Sequence, residues 1–160
     1  MRITSEQDLD EIKLDVAELD IKEVVSLSST YHVASTDDKM EEDKLIIRLD
    51  KKLPKHASID LRIRYSAGYY YHPKNGGINI RTPRSGFYFI TAEGNSPAKQ
   101  AWTQGEALES RYWFPCLDDP QVKFLREIQV TVPKNYIVIS NGEGKQSESN
   151  ENTTWTWIER

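Results

Sequence analysis

In the run Ile59-Asp60-Leu61-Arg62-Ile63-Arg64-Tyr65 every odd position is apolar and every even position is charged. A period of two describes a strand with one packed face and one wetted face; a helix would return its apolar stripe about every 3.6 residues. The same habit recurs along the chain. Ile12-Lys13-Leu14-Asp15-Val16 alternates, residues 21–27 are rich in β-branched side chains, and 45–49 form an apolar run that Pro54 closes, because proline donates nothing to a strand ladder. Residues 31–33, 69–71, 78–80, 87–90, 127–132, 136–140 and 154–158 read as further short strands.

Turn signals separate them. Residues 72–77 contain the Asn75-Gly76 pair, which tolerates the positive φ of a tight hairpin. The acid-rich stretch 35–44 reads as a solvated loop or a hairpin end, and 91–99 and 145–152 read as polar loops. Only 104–112 has room for a helical turn or two. Eight or more short strands, with a turn about every ten residues, predict an all-β antiparallel β-sandwich. The missing long helical pattern argues against a βαβ fold.

At 160 residues, 38% apolar and 29% charged, the chain fits one soluble globular domain spanning 1–160. A net charge of −4 argues against a nucleic-acid partner. No window approaches the apolar length of a membrane span, and no basic start leads into an apolar run, so a cytoplasmic protein without a membrane partner is expected. The lone Cys116 forms no internal disulfide.

The densest chemistry lies between Trp102 and Pro120. Four large aromatics, two prolines, Cys116 and four acidic residues fall within nineteen positions. The Asp118-Asp119-Pro120 run reads as a turn initiator rather than an acid–base pair. Arg111 is placed to pair with one of those aspartates. Cys116, next to Pro115 and far from any histidine, reads as a buried, inert thiol.

Trp102-Thr103-Gln104-Gly105-Glu106-Ala107, Ser110-Arg111-Tyr112-Trp113-Phe114-Pro115-Cys116 and Asp118-Asp119-Pro120 together resemble the N-terminal domain of the aminopeptidase N family, the zinc metallopeptidases that include puromycin-sensitive aminopeptidase. Leu14-Asp15-Val16-Ala17-Glu18-Leu19, Ser85-Gly86-Phe87-Tyr88, Val132-Pro133 and Val138-Ile139-Ser140-Asn141-Gly142 extend the likeness over 9–143. The resemblance implies a saddle-like sandwich docked on a thermolysin-like catalytic domain of the same parent chain. It further implies that Glu106 helps bind the free α-amino group of a peptide substrate and that Gln104 lines the pocket for its first side chain.

His-Glu-x-x-His and the family's Gly-x-Met-Glu-Asn element are absent, and His32, His56 and His72 stand isolated. The resemblance therefore implies a fragment with no catalytic or metal-ligating residue, zinc and chemistry belonging to the parent's catalytic domain. It also implies truncation at both ends, since the family's domain opens with a pair of strands before the segment matching 9–19. A second reading is a non-catalytic scaffold, like the TATA-binding-protein-associated factor built on the same domains.

Overall fold

The computed structural model describes residues 1–39, 42–67, 86–90 and 100–159. The expected strands at 69–71 and 78–80, the turn at 72–77 and the loop at 91–99 lie outside the described residues. Two compact units make up the chain, Met1–Pro120 and Gln121–Arg160.

Within the first unit the strands are β1 (Arg2–Thr4), β2 (Leu9–Asp15), β3 (Asp20–Ser26), β4 (Val33–Lys39), β5 (Lys44–Leu53), β6 (Ser58–Ser66), β7 (Phe87–Ile90) and β8 (Gln100–Thr103). They form three antiparallel sheets, ordered β1-β6-β3, β2-β5-β4 and β7-β8. The alternation explains the layers. Ile12 and Leu14 of β2, Leu45, Ile47 and Leu49 of β5, and Ile59 and Leu61 of β6 all turn inward and join one buried cluster. Their charged neighbours face water; Arg62 on β6 pairs with Glu23 on β3 at 3.6 Å. The two three-stranded sheets thus share one apolar interior, the all-β sandwich expected from the period of two.

For the acid-rich stretch 35–44 the hairpin-end reading holds and the loop reading is corrected. Most of it is strand: β4 pairs with β5, Thr36 opposite Ile47 and Asp38 opposite Leu45. Its side chains are mostly polar because β4 is an edge with a single neighbour in its sheet; backbone pairing to β5, Val33 packed on the core and Arg48 of β5 3.9 Å from Asp37 hold it there. Charge on an edge strand also discourages pairing with other chains.

The second unit is a three-stranded antiparallel sheet of β9 (Arg126–Pro133), β10 (Glu143–Glu148) and β11 (Asn152–Glu159), ordered β10-β11-β9. Two further corrections fall here. Residues 145–152 are not one polar loop, since β10 forms a full hairpin with β11, Lys145 opposite Thr156; an all-polar exposed edge carries no hydrophobic signal. Residues 136–140 alternate as a strand would but lie in no sheet among the described residues, with Ile137 and Ile139 facing outward, 79% and 86% exposed. Periodicity reports which side of a backbone is apolar, not whether a partner strand is present. On β11, Trp155 and Trp157 share a face and stack, ring centroids 6.4 Å apart.

A polar clasp fastens the segment after β8 to the sandwich. Asp15, the last residue of β2, donates its N–H to the Cys116 carbonyl at 2.7 Å and accepts from the Cys116 N–H at 3.2 Å. Arg111 stands between two carboxylates: its Nε donates to Asp118 Oδ2 at 3.0 Å, and its Nη1 lies 3.6 Å from Asp15 Oδ1. The Asp118 N–H donates to Asp15 Oδ2 at 3.0 Å, and Lys44 completes the cluster on Asp15. Arg111 therefore makes the scaffold pair expected of it. Burial alone would raise the Asp15 carboxyl, but the hydrogen bonds from Lys44 and the Asp118 N–H, with the charges of Lys44 and Arg111, outweigh it and leave it below its ordinary value. Cys116 is buried, and burial, with Asp118 and Asp15 nearby, pushes its thiol up to about 12, in keeping with the inert thiol expected.

Two predictions follow from this packing. Ile47, fully buried, should cost about 2–5 kcal/mol of unfolding free energy on Ile47→Ala in urea titration; a loss under about 1 kcal/mol would place it outside the core. A carboxyl depressed in the fold stabilises fully above its unfolded value, about 3.9, and loses that contribution as pH falls through its folded value. Asp15→Asn should therefore destabilise by about 3 kcal/mol at pH 7, and its gap to the parent chain should narrow below about pH 4. A gap constant down to pH 3 would remove the clasp from the account.

Candidate functional site

Gln104 follows β8 directly, and the two-stranded β7-β8 sheet decides where it goes. Phe87 pairs with Thr103 and Tyr88 with Trp102, and the Tyr88 and Trp102 rings stack 5.5 Å apart. Gly86, just before β7, lies opposite the point where the chain leaves β8. Its carbonyl accepts the Gln104 N–H at 2.9 Å. Its φ is +81°, and a Cβ built there would sit 2.2 Å from the Glu109 carbonyl oxygen. Both the left-handed backbone and the close approach demand glycine.

From Gln104 the chain turns back on itself. The Glu109 N–H donates to the Gly105 carbonyl at 3.1 Å, and a single 3-10 turn, Ser110–Tyr112, follows; this is the helical turn expected in 104–112. Glu109 Oε2 accepts from the Gly86 N–H at 3.3 Å and from the Tyr88 hydroxyl at 2.9 Å. Beyond the turn, Ala17 donates its N–H to the Arg111 carbonyl at 3.0 Å. The turn is thus held at its start by β7, at its end by β7 and Glu109, and behind by the clasp on β2.

At its outer side are the two candidate residues. Gln104 and Glu106 are both exposed, and neither side chain makes a hydrogen bond or ion pair among the described residues. The Glu106-Ala107 peptide bond is cis. Leu108 and Trp102, 46% and 45% exposed, supply apolar surface on the same segment. A carboxylate and an amide on a segment that also exposes apolar side chains have the chemistry to take an ammonium group and the side chain next to it.

His32 is tied to Asp50, its N–H donating at 2.9 Å and its Nδ1 lying 3.2 Å from the second carboxylate oxygen. His56 occupies a positive-φ turn, and His72 lies outside the described residues. Among the described residues no group of three or more His, Cys, Asp or Glu side chains could hold a metal, and no helix is long and apolar enough to cross a membrane.

Gln104 and Glu106 stand out in the sequence, whereas nothing in it assigns a role to Gly86, Tyr88 or Glu109. Gly86 and Tyr88 were visible within the Ser85-Gly86-Phe87-Tyr88 motif. Their meeting with Glu109 spans 21 to 23 residues of sequence, and no local pattern reveals that.

Solved structures carry the same fold. An M1 zinc metallopeptidase from Deinococcus radiodurans superposes with a TM-score of 0.70 at 20% identity, over 99% of this chain and 33% of that one. A mutant of the metallopeptidase from that organism, bound to a Tyr-Ser-Ala substrate, gives 0.74 at 20% identity with the same coverage. A two-domain M1 zinc metallopeptidase mutant bound to L-arginine gives 0.69 at 19% identity, again over 99% and 33%. The chain therefore spans about a third of the length of these enzymes. The family model for the peptidase M1 N-terminal domain matches residues 1–159, and this chain, with its antiparallel sandwich, belongs to that family.

Proposed function

We propose that residues 1–160 act as one domain that supplies substrate-amine recognition to a zinc aminopeptidase, the chemistry residing in a catalytic domain elsewhere in the parent chain. Glu106 receives the α-ammonium of a peptide, and Gln104 borders the pocket for the first side chain. The observation that carries this reading is the pair itself: two exposed polar side chains, without partners among the described residues, on a turn fastened at both ends. A carboxylate that served only the fold would be expected to have a partner, as Glu109 does.

In open water such a carboxylate holds an ammonium weakly, by about 0–1 kcal/mol. Covered by a second domain, the same contact strengthens as the local dielectric falls, and it penalises a substrate without a free N-terminus. Solved M1 enzymes three times this length with amino acids or a peptide bound are consistent with that arrangement. Zinc in this reading sits in the catalytic domain.

The test is reconstitution. The parent's catalytic region is mixed with this chain or with its Glu106→Ala form, and hydrolysis of an aminoacyl chromogenic substrate is followed. The parent sequence should restore cleavage and Glu106→Ala should lower kcat/KM about a hundredfold, about 2.7 kcal/mol. A folded, zinc-loaded catalytic region that stays inactive with either form would favour the scaffold reading.

A further inference from the structure

Glu109 is the one acidic side chain on the candidate turn that already has work within the fold, and its contacts lead to a second inference. The backbone of Gly86 is bonded in both directions. Its carbonyl takes the N–H of Gln104 at the start of the turn, and its N–H goes to the Glu109 carboxylate at the end. Tyr88, two residues on in β7, gives its hydroxyl to the same carboxylate oxygen. Glu109 also returns its own N–H to Gly105, between the two candidate residues. Glu106 has no bond of its own to orient it among the described residues. Its direction is therefore set by the turn, and the turn is closed by Glu109.

We propose that Glu109 is a positioning residue for amine recognition: by accepting from Gly86 and Tyr88 it fixes the turn that aims Glu106 and Gln104 at the substrate. This rests on the amine-recognition reading above. Glu109 itself faces β7, one carboxylate oxygen shared by two donors, so in this proposal it acts through the turn. Truncating it removes the acceptor that the Gly86 N–H and the Tyr88 hydroxyl share and unfastens one end of the turn, while Asp15, Arg111 and Cys116 still hold the segment behind it. A glutamine keeps an acceptor oxygen on a side chain of equal length, so geometry rather than charge is what the position requires.

Two measurements decide it. In amide hydrogen exchange on the 160-residue chain, Glu109→Ala should accelerate the Gln104 amide about tenfold or more, while the Asp15 and Ala17 amides keep the rates of the parent sequence and Glu109→Gln stays close to it throughout. An unchanged Gln104 amide, or equal acceleration at Asp15 and Ala17, overturns the inference. In the longer protein that carries this domain, Glu109→Ala should raise KM for a peptide with a free N-terminus about tenfold with kcat nearly unchanged, and Glu109→Gln should restore it. If the parent sequence cleaves the peptide and Glu109→Ala does so with the same KM, only the role of Glu109 falls. If the parent sequence cleaves nothing, amine recognition falls and the positioning role falls with it.

Discussion

The candidate site depends on one backbone residue held from both sides. Gly86, at φ +81°, receives the Gln104 N–H on its carbonyl and presents its own N–H to Glu109. With a Cβ, the residue would collide with the Glu109 carbonyl at 2.2 Å, and the turn could not lie against β7. The contact links two segments that the sequence keeps apart. It pins the backbone of the loop that carries Gln104 and Glu106.

The rest of the first unit anchors the segment that carries this loop. Alternating apolar residues from β2, β5 and β6 close one core, and β2 ends at its edge with Asp15. Asp15 is where an apolar strand becomes a polar clasp, bridged to Cys116 and shared by Lys44, Arg111 and the Asp118 N–H. A buried ion pair of this kind is a weak source of stability compared with apolar packing. Its value here is registry, since it fixes where the segment after β8 crosses the end of β2.

Legibility followed the physical origin of each feature. Ile59 to Tyr65 and Ile12 to Val16 were readable because one face is buried and one is wet, and burial writes itself into sequence as alternation. β10 leaves no signal in the sequence, and β4 shows only as a hairpin end. Their residues, Val-Ala-Ser-Thr-Asp-Asp-Lys and Glu-Gly-Lys-Gln-Ser-Glu, lie at sheet edges and are mostly polar, so no alternation of apolar residues marks them. The reverse error at 136–140 has the matching cause: Ile137 and Ile139 alternate, yet among the described residues no neighbouring strand meets them. Gln104 and Glu106 were found through a motif, whereas Glu109 needed the fold, because a contact with Gly86 and Tyr88 is a property of the sheet rather than of the local sequence.

The most direct measurement pairs a change in the protein with a change in the substrate. In the longer protein, kcat/KM is compared between the parent sequence and Glu106→Gln, for a peptide with a free N-terminus and for the same peptide lacking only that amino group. If Glu106 holds the ammonium, the substitution costs at least about tenfold with the first peptide and almost nothing with the second, a coupling of about 1.4 kcal/mol or more. An equal loss with both peptides would contradict the account, because Glu106 would then support the fold or the docked domain rather than the amine.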